Sequence, residues 1–341
     1  MTQTTVPSGT ASSGSAGATL TRAELEPRLE QHRRELTGYC YRMLGSAFDA
    51  EDAVQETMVR AWRSAEKFEG RSGLRTWLYR IATNVCLDML GSRQRRALPI
   101  DLSPTAWQPV ESSLRAERPH EAWVEPMPDA RTLSETGDPA ELAETRESVR
   151  LAFVAALQQL PPRQRVVLLL REVLRWKADE VATLLDTTTA SVNSALQRAR
   201  ATLASAENTS AEVRVDPLDD QVRELLARYV DAFERYDMTA LVALLHEDAT
   251  QNMPPFEMWL RGRENLVAWM TGPGSGCEGS RCLPLEVNGS PAFAQYKPDG
   301  DAFSPWGIHV LDVTGGRVTG ITTFLDTRLF ELFGLPADPT G

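Results

Sequence analysis

The segment that most constrains the fold of this chain is KADEVATLLDTTTASVNSALQRARATLA, residues 177–204. A helix-turn-helix needs a small residue where its helices cross, a reversal that tolerates a left-handed residue, and a second helix with a polar outer face. Ala182 satisfies the first requirement, and Asp186 the second, because aspartate adopts the left-handed conformation at little cost. Thr188 follows as the expected N-cap. We therefore predict a helix-turn-helix in this segment.

The second helix of this unit is amphipathic. Its inner stripe consists of Val192, Leu196, Ala199 and Leu203, at three- and four-residue spacing. Its outward residues are Thr189, Asn193, Ser194, Gln197, Arg198 and Arg200. Hydroxyl, amide and guanidinium groups are what major-groove base edges and phosphates require, which favours duplex DNA as the ligand of this face. The alternative is an αα-hairpin whose polar face is only solvated.

A helix with an unusual surface is also predicted over residues 73–90, GLRTWLYRIATNVCLDML. Apolar residues recur there at three- and four-residue spacing and form one stripe that packs on a core. The remaining surface carries Arg75, Tyr79, Arg80, Thr83 and Asn84. Guanidinium, aromatic and amide groups are suited to phosphates and unstacked bases.

The net charge of −11 argues at first against a nucleic-acid partner. The charge is unevenly distributed, however. Residues 71–96 carry six arginines and a single acid, Asp88, whereas residues 99–147 carry eleven acids and four arginines. Residues 207–341 carry twenty-one acids and ten basic residues. The helix at 73–90 therefore lies in a basic segment, and the negative charge belongs to a linker and a C-terminal region.

Composition and periodicity divide the chain into five segments. Residues 1–20 are rich in Ser, Thr and Gly, which predicts a disordered tail. Residues 21–98 and 142–206 predict two all-helical domains, separated at 99–141 by an acidic, proline-rich linker. Residues 216–336 combine helices with strand-like runs between glycine turns, which predicts an α+β domain.

No apolar run is long enough to cross a bilayer, and the first residues lack the order of a signal peptide, so we expect a cytoplasmic protein. Four cysteines in 341 residues do not make a disulfide framework. Cys277 and Cys282 are close enough to form a bridge, but a reducing compartment favours free thiols. Because no histidine cluster lies nearby, no metal is expected.

A third surface lies on DAEDAVQETMVRAW, residues 49–62. Apolar residues form an inward stripe, and the opposite face carries Asp52, Gln55, Glu56 and Val59. Taken alone, such a face is most simply a solvated surface. Its meaning depends on the rest of the chain.

Together, these segments resemble the bacterial sigma-70 family, specifically its extracytoplasmic-function (group IV) members with two conserved domains. Residues 41–96, from YRMLG to SRQRR, resemble region 2, and residues 160–203, from LPPRQR to ARATL, resemble region 4. The acidic stretch between them stands where the interdomain linker is expected. The sequence departs from the family at Arg175 and Lys177, where relatives often have glycine and a helix-capping Ser or Thr.

The resemblance implies a role for each surface. Asp52, Gln55 and Glu56, the polymerase face, are implied to dock on the clamp helices of the largest subunit of RNA polymerase. The minus-ten face is implied to hold the separated non-template strand, and it consists of Arg71, Arg75, Tyr79, Arg80 and Asn84. The recognition face is implied to bind the duplex minus-thirty-five element, and it consists of Thr189, Asn193, Ser194, Gln197, Arg198 and Arg200.

The C-terminal segments RGRENLVAWM, NGSPAFAQYKPDG, VLDVTGGRVTGITTFLD and LFELFGLP resemble the SnoaL-like domains appended to some of these sigma factors. The resemblance implies a nuclear-transport-factor-2-like fold, in which a curved sheet and helices form a cone with an interior pocket. A cyclase or isomerase would need an acid–base pair in that pocket, for which the candidates are Asp248, His309, Asp312 and Asp326. Strand alternation places His309 and Asp312 on opposite faces, which favours a vestigial or sensing pocket.

The expected fold is therefore multidomain, with two all-α sigma domains followed by an α+β SnoaL-like cone-shaped domain. The expected function is a non-enzymatic sigma factor without cofactors, whose partners are core RNA polymerase and promoter DNA. Its acidic C-terminal domain is expected to regulate it, folding back on residues 71–96 or on the recognition helix in place of an anti-sigma factor. The alternatives are a ligand-sensing helix-turn-helix regulator and a fused SnoaL-like cyclase or isomerase. The presence of both the polymerase face and the minus-ten face favours the sigma factor.

Overall fold

A computed structural model describes residues 22–65, 68, 73–91, 94–133, 138–206 and 220–339. The tail expected at 1–20 and Arg71 of the minus-ten face lie outside the described residues. The first helical module consists of α1 (Arg22–Leu44), α2 (Ala47–Arg63) and α3 (Leu74–Leu90). The linker contains the short helix α4 (Asp129–Thr132). The second helical module consists of α5 (Pro139–Glu147), α6 (Leu151–Gln158), α7 (Pro162–Leu168), a π-helical turn (Leu169–Val173), α8 (Ala178–Leu184) and α9 (Thr189–Ala206).

The helix-turn-helix predicted from the sequence is present as α8 and α9. Asp186 has a φ of 51°, as the left-handed reversal requires, and the Thr188 hydroxyl accepts a hydrogen bond from the Ser191 amide at 3.1 Å. The predicted inner stripe of α9 is buried. At the start of α8 the Lys177 side chain makes no cap, and the Lys177 amide donates instead to Glu180 Oε2 at 2.7 Å. The N-terminus of α8 is thus satisfied by a glutamate three residues later.

The acidic linker is packed over the part of it that the structure describes. It contains 3₁₀ turns at Pro99–Asp101, Glu111–Arg115 and His120–Ala122. The Val124 amide donates to the Ala97 carbonyl at 3.0 Å, and the Trp107 amide donates to the Trp259 carbonyl at 2.8 Å. Trp123 and Met127 are buried. The linker therefore forms hydrogen bonds with both the first helical module and the C-terminal domain, so it is a packed part of the fold.

The C-terminal domain is a six-stranded sheet with helices packed on both of its faces. Its helices are α10 (Asp220–Glu234), α11 (Met238–Leu244), α12 (Arg263–Thr271) and α13 (Arg328–Leu332). Its strands are β1 (Leu245–Asn252), β2 (Trp259–Arg261), β3 (Arg281–Val287), β4 (Ser290–Asp299), β5 (Ala302–Thr314) and β6 (Arg317–Phe324). The strand order is β2-β1-β6-β5-β4-β3, with β1 and β6 parallel and the other neighbours antiparallel.

Alternate residues of β4 and β5 face two different cores. Ala292 and Ile308 belong to a core that is continuous with the helical modules. Phe293 and Leu311 belong to a second core, inside the C-terminal domain. Because both faces of these strands are covered, the C-terminal domain is packed into the same body as the sigma domains.

Candidate nucleic-acid and polymerase surfaces

The recognition face is open to solvent in this structure. All six of its predicted residues, from Thr189 to Arg200, have exposed side chains on the outer side of α9. Arg200 Nη2 lies 2.7 Å from Glu172 Oε1, whereas Asn193 and Arg198 project without an ion pair among the described residues. The face combines hydroxyl, amide and guanidinium donors on one helix, the arrangement that fits a major groove.

The minus-ten face is only partly as predicted. Arg75, Arg80 and Asn84 are exposed on α3, but Tyr79 and Thr83 are almost fully buried, so the prediction that their side chains are on the outer surface is wrong. The Tyr79 ring packs edge-on against Trp176, with ring centroids 5.3 Å apart. The Thr83 hydroxyl shares a 2.8 Å hydrogen bond with Tyr39 Oη. The periodicity of residues 73–90 could not reveal the contact between Tyr79 and Trp176, because Trp176 is distant in sequence and belongs to the second helical module.

The second helical module contacts two of the exposed residues of the minus-ten face, Arg75 and Arg80. Arg80 Nη2 donates to the Thr183 carbonyl of α8 at 2.7 Å. The Arg75 guanidinium lies 5.1 Å from the Tyr79 ring centroid and 5.9 Å from that of Trp176, and Arg75 Nε is 2.8 Å from Glu35 Oε2. The arginines expected to bind strand phosphates are therefore engaged by the first helix of the helix-turn-helix and by α1. We call this the closed arrangement.

The polymerase face lies on the outer side of α2. Asp52 and Gln55 are exposed, and Glu56 Oε1 pairs with Arg60 Nε at 2.6 Å. Two large apolar side chains of the same helix are also exposed, Val59 by 40% and Trp62 by 44%. An exposed tryptophan beside acidic residues is typical of a binding surface more than of a solvated one. The sequence pattern had placed Val59 on this face but had not singled out Trp62.

A hairpin turn of the C-terminal domain is inserted between the helical modules. Asn288 and Gly289 connect β3 to β4 and both have positive φ, which suits a tight two-residue turn. The buried Asn288 amide donates to the Val149 carbonyl at 2.5 Å and to Tyr41 Oη at 2.6 Å. Its oxygen accepts from the Met127 amide at 2.8 Å. One side chain therefore bonds to α1, the linker and the residues just before α6, and we call this contact the junction.

The junction contains two buried carboxyl groups. Asp129 Oδ1 accepts a hydrogen bond from the Gly289 amide at 2.8 Å, and Glu125 accepts one from the Ser46 hydroxyl. Burial raises the pKa of Asp129 to about 7, although the Gly289 amide opposes this. Burial also raises the pKa of Glu125 to about 7, against the opposing charge of Arg96. Near neutral pH, each group is poised between its charged and neutral forms.

We expect the free energy of unfolding to fall as pH rises from about 5 to about 8. Since both folded pKa values are raised, these two carboxyl groups bind more protons in the folded protein than in the unfolded chain, so rising pH favours unfolding. The lowered pKa of His309 in the C-terminal domain opposes this trend below about pH 6.5, but it is one group against two. Urea unfolding at several pH values measures the slope. Asp129→Asn keeps the acceptor oxygen. It should make the free energy of unfolding depend less steeply on pH, by at most about 1.4 kcal/mol per pH unit. An identical slope in this variant would contradict the assignment to Asp129.

The C-terminal domain encloses a cavity between its sheet and helices, and His309 lines it. The other proposed acid–base candidates lie elsewhere: Asp248 is exposed and 3.4 Å from Arg261, Asp326 is bonded to Arg328, and Asp312 contributes nothing to the lining. Burial lowers the pKa of His309 to about 3, so the imidazole is neutral. Among the described residues, none of the three carboxyl candidates therefore lines the cavity with His309.

The strand carrying His309 also departs from simple alternation. The pairing of β4 with β5 shifts at Gln295 and Tyr296, which face Gly307 and Pro305, so Trp306 is an extra residue in β5. Trp306 consequently lines the cavity together with His309, although alternation predicts opposite faces for them.

The protein consists of two helical modules joined to a cone-shaped α+β domain, and the second module has an exposed helix-turn-helix. This architecture defines a multidomain transcription protein of the DNA-binding class. Comparison with known families matches sigma-70 region 2 at residues 29–96, sigma-70 region 4 at residues 150–203 and a SnoaL-like domain at residues 226–321. The chain is 46% identical over 326 residues to the ECF RNA polymerase sigma factor SigG of Mycobacterium tuberculosis, covering 95% of this chain and 87% of that protein. This chain belongs to the extracytoplasmic-function sigma factors.

Another relative shares the three-module organisation. The ECF RNA polymerase sigma factor SigJ of Mycobacterium tuberculosis is 28% identical over 330 residues, covering 92% of this chain and 96% of that protein. The crystal structure of SigJ superposes with a TM-score of 0.59 at 22% identity, covering 92% of this chain and all of that one. The fold expected from the sequence is thereby confirmed. Among the described helices, none is both long enough and apolar enough to cross a membrane.

Proposed function

We propose that this sigma factor binds core RNA polymerase through Asp52, Gln55 and Glu56, with Val59 and Trp62 adding apolar contact. The proposal is supported by the exposure of this face and by an apolar patch flanked by charge, which suits the centre and rim of a protein interface. In the same complex, Arg75, Arg80 and Asn84 bind the opened minus-ten strand, and the recognition face binds duplex DNA upstream. Arg71 completes the minus-ten set in this proposal.

The closed arrangement must open before the minus-ten face binds DNA. One donor of Arg80, Nη2, is occupied by the Thr183 carbonyl, and the ring of Tyr79 is inaccessible while Trp176 covers it. In this proposal, Tyr79 contacts DNA only in the open state, after Trp176 has moved away from its ring. Binding of polymerase and promoter would supply the differential free energy that separates the modules.

We propose further that the C-terminal domain maintains the closed arrangement, in place of a separate anti-sigma factor. The observation that carries this proposal is the bonding of Asn288 to Tyr41 in the first helical module, Met127 in the linker and Val149 in the second helical module. Arg131 adds a hydrogen bond to the Leu332 carbonyl at 2.9 Å. These contacts are specific and buried, unlike the general charge attraction expected from the sequence. The recognition face stays exposed, so masking of that helix is not part of the proposal.

Alanine substitutions test the division between the two DNA-binding faces. We expect Arg198→Ala to weaken upstream duplex binding by about 1–3 kcal/mol, the range for a bidentate base contact. Asn84→Ala should leave that affinity unchanged and reduce strand opening, because its amide faces only the separated strand. Duplex binding is measured with holoenzyme and promoter DNA, and opening by permanganate reactivity of the minus-ten region.

Arg163→Ala is the matched control, since Arg163 is exposed on α7 and is not part of the recognition face. It should change neither measurement. Failure of Arg198→Ala and Asn84→Ala at the same step would count against separate roles for the two faces.

A further inference from the structure

One tryptophan of the second helical module, Trp176, lies against the minus-ten face. It stands two residues before α8 and is only 6% exposed. Its ring centroid is 5.3 Å from that of Tyr79, at an interplanar angle of 63°, and 5.9 Å from the Arg75 guanidinium carbon. The same guanidinium carbon lies 5.1 Å from the Tyr79 ring centroid. A flat aromatic group of one module therefore rests on a ring and a guanidinium of the other.

The backbone of Trp176 is held by the π-helical turn. The Trp176 amide donates to the Leu170 carbonyl at 2.9 Å, and the Trp176 carbonyl accepts from Arg171 Nη1. The preceding residue, Arg175, has a φ of 56°, a left-handed conformation that costs free energy for an arginine. Such outliers persist only where the surrounding structure imposes them, and they cluster at functional contacts. The position of Trp176 is thus imposed by its own module.

The indole of Trp176 is not fully satisfied in this position. Trp176 Nε1 is buried and has no hydrogen-bond partner within the described part of the chain. A buried indole N–H normally donates to a partner, and an unpaired one lowers the stability of the arrangement that buries it. Asn288 at the junction, in contrast, uses both its amide nitrogen and its oxygen. Because separation of the modules would expose Nε1 to water, this contact favours closure less than its packing alone suggests.

We propose that Trp176 occupies, in the closed arrangement, the place that one unstacked base of the minus-ten strand takes in the open arrangement. The inference rests on the proposed function, in which α3 binds the opened strand. A base stacks on aromatic and guanidinium planes, and the indole packs here against the same two groups, Tyr79 and Arg75. Trp176 is thus an intramolecular substitute for a base, and we call its side chain the plug.

A strand of DNA displaces the plug because it offers what the indole does not. Its phosphates bring negative charge to Arg75 and Arg80, and its bases reach the amide of Asn84, all three of which are exposed on α3. The indole brings only an N–H without an acceptor. The plug therefore opposes opening of the free protein and is displaced by a promoter strand that makes several contacts at once.

Trp176→Leu removes the ring of the plug and keeps an apolar side chain. In the free full-length sigma factor, we expect this variant to bind forked minus-ten DNA about twofold to tenfold more tightly, the factor that one aromatic pair contributes to closure. In holoenzyme, where the proposed function requires separated modules, its affinity should equal that of the native protein. Trp176→Phe keeps a ring and should restore the native affinity of the free factor. Fluorescence anisotropy measures each affinity.

Arg75→Lys tests whether a base takes the place of the plug. Lysine keeps the charge that a phosphate attracts but lacks the planar guanidinium that stacks on a ring. In holoenzyme, we expect this variant to bind forked DNA at least about threefold more weakly. A series of probes, each lacking one base of the single-stranded segment, should show a comparable loss at one position. At that position the two losses should not add, because they remove the same contact.

Trp306→Leu is the matched control, because Trp306 also lies beside a cation, with Lys297 Nζ 3.3 Å from its ring centroid, but belongs to the C-terminal domain. It should change none of these affinities. Thermal unfolding checks each fold, and Trp176→Met replaces the leucine variant if that variant unfolds.

The plug is overturned by a free Trp176→Leu protein that binds no more tightly than the native one, or by a gain that persists in holoenzyme. Losses that add to that of Arg75→Lys at every abasic position would overturn the base site. Failure of the native holoenzyme to bind forked DNA would instead contradict the proposed function itself.

Discussion

Asn288→Gly is expected to raise the affinity of the free sigma factor for promoter DNA by about tenfold to a hundredfold. Glycine keeps the positive φ of the turn but removes three buried hydrogen bonds, each contributing about 1 kcal/mol to the closed arrangement. The open population, and with it the apparent affinity, rises by the same factor until the open form predominates. Fluorescence anisotropy with forked minus-ten DNA measures the affinity. A fluorophore pair on α2 and α9 reports the separation of the modules.

Asp299→Gly is the control, because it makes a change to glycine at the end of β4, beside another hairpin turn of the same sheet, where a Cβ added at Gly300 would meet no atom within 4 Å. This variant should bind DNA as the native protein does. If Asn288→Gly remains closed and binds DNA no better, the junction does not restrain the sigma domains. Opening of the modules without a gain in DNA affinity would instead show that the closed arrangement does not mask the minus-ten face.

Asp52→Lys together with Glu56→Lys is expected to reduce affinity for core RNA polymerase by at least about tenfold. Reversal at two positions of an interface places like charges where opposite charges would meet, a change that costs several kcal/mol. The fold should be retained, since exposed charges contribute little to stability and the pair between Glu56 and Arg60 is half-exposed. Binding to purified core polymerase measures the affinity, and thermal unfolding checks the fold.

The matched control is Glu26→Lys with Glu30→Lys on α1. These residues have the same four-residue spacing, and Glu30 is likewise paired with an arginine, Arg33, at 2.7 Å. The control should bind polymerase as the native protein does, although its net charge changes by the same amount. Equal loss in both double variants would indicate a general charge effect and remove the assignment of the polymerase face.

The local sequence determined the helix-turn-helix in detail. The reversal at Asp186, the N-cap at Thr188 and the buried stripe of α9 depend on interactions within a few residues, so spacing and residue type were sufficient to predict them. The six residues of the recognition face are exposed for the same reason, because burying one stripe of a helix fixes the opposite one outside. The order of the three modules also followed from the resemblance to known families.

The environment of α3 depended on the tertiary structure. Helical periodicity shows which residues share a face, but it does not show whether a second module covers that face. Tyr79 is buried because Tyr39 of α1 and Trp176, almost a hundred residues later, both pack on it. In the same way, the linker has the composition of a spacer, and only its hydrogen bonds to Ala97 and Trp259 show that it is packed.

The sequence by itself determined what this protein is: a sigma factor with two helical DNA-binding modules and a SnoaL-like domain. Only the tertiary structure decided how those parts restrain one another. The turn at Asn288 and Gly289 is a local feature, yet its contacts with Tyr41, Met127 and Val149 join segments that are far apart in sequence. The unpaired Nε1 of Trp176 is likewise defined by what surrounds it. Contacts between distant segments depend on packing, which local patterns do not encode.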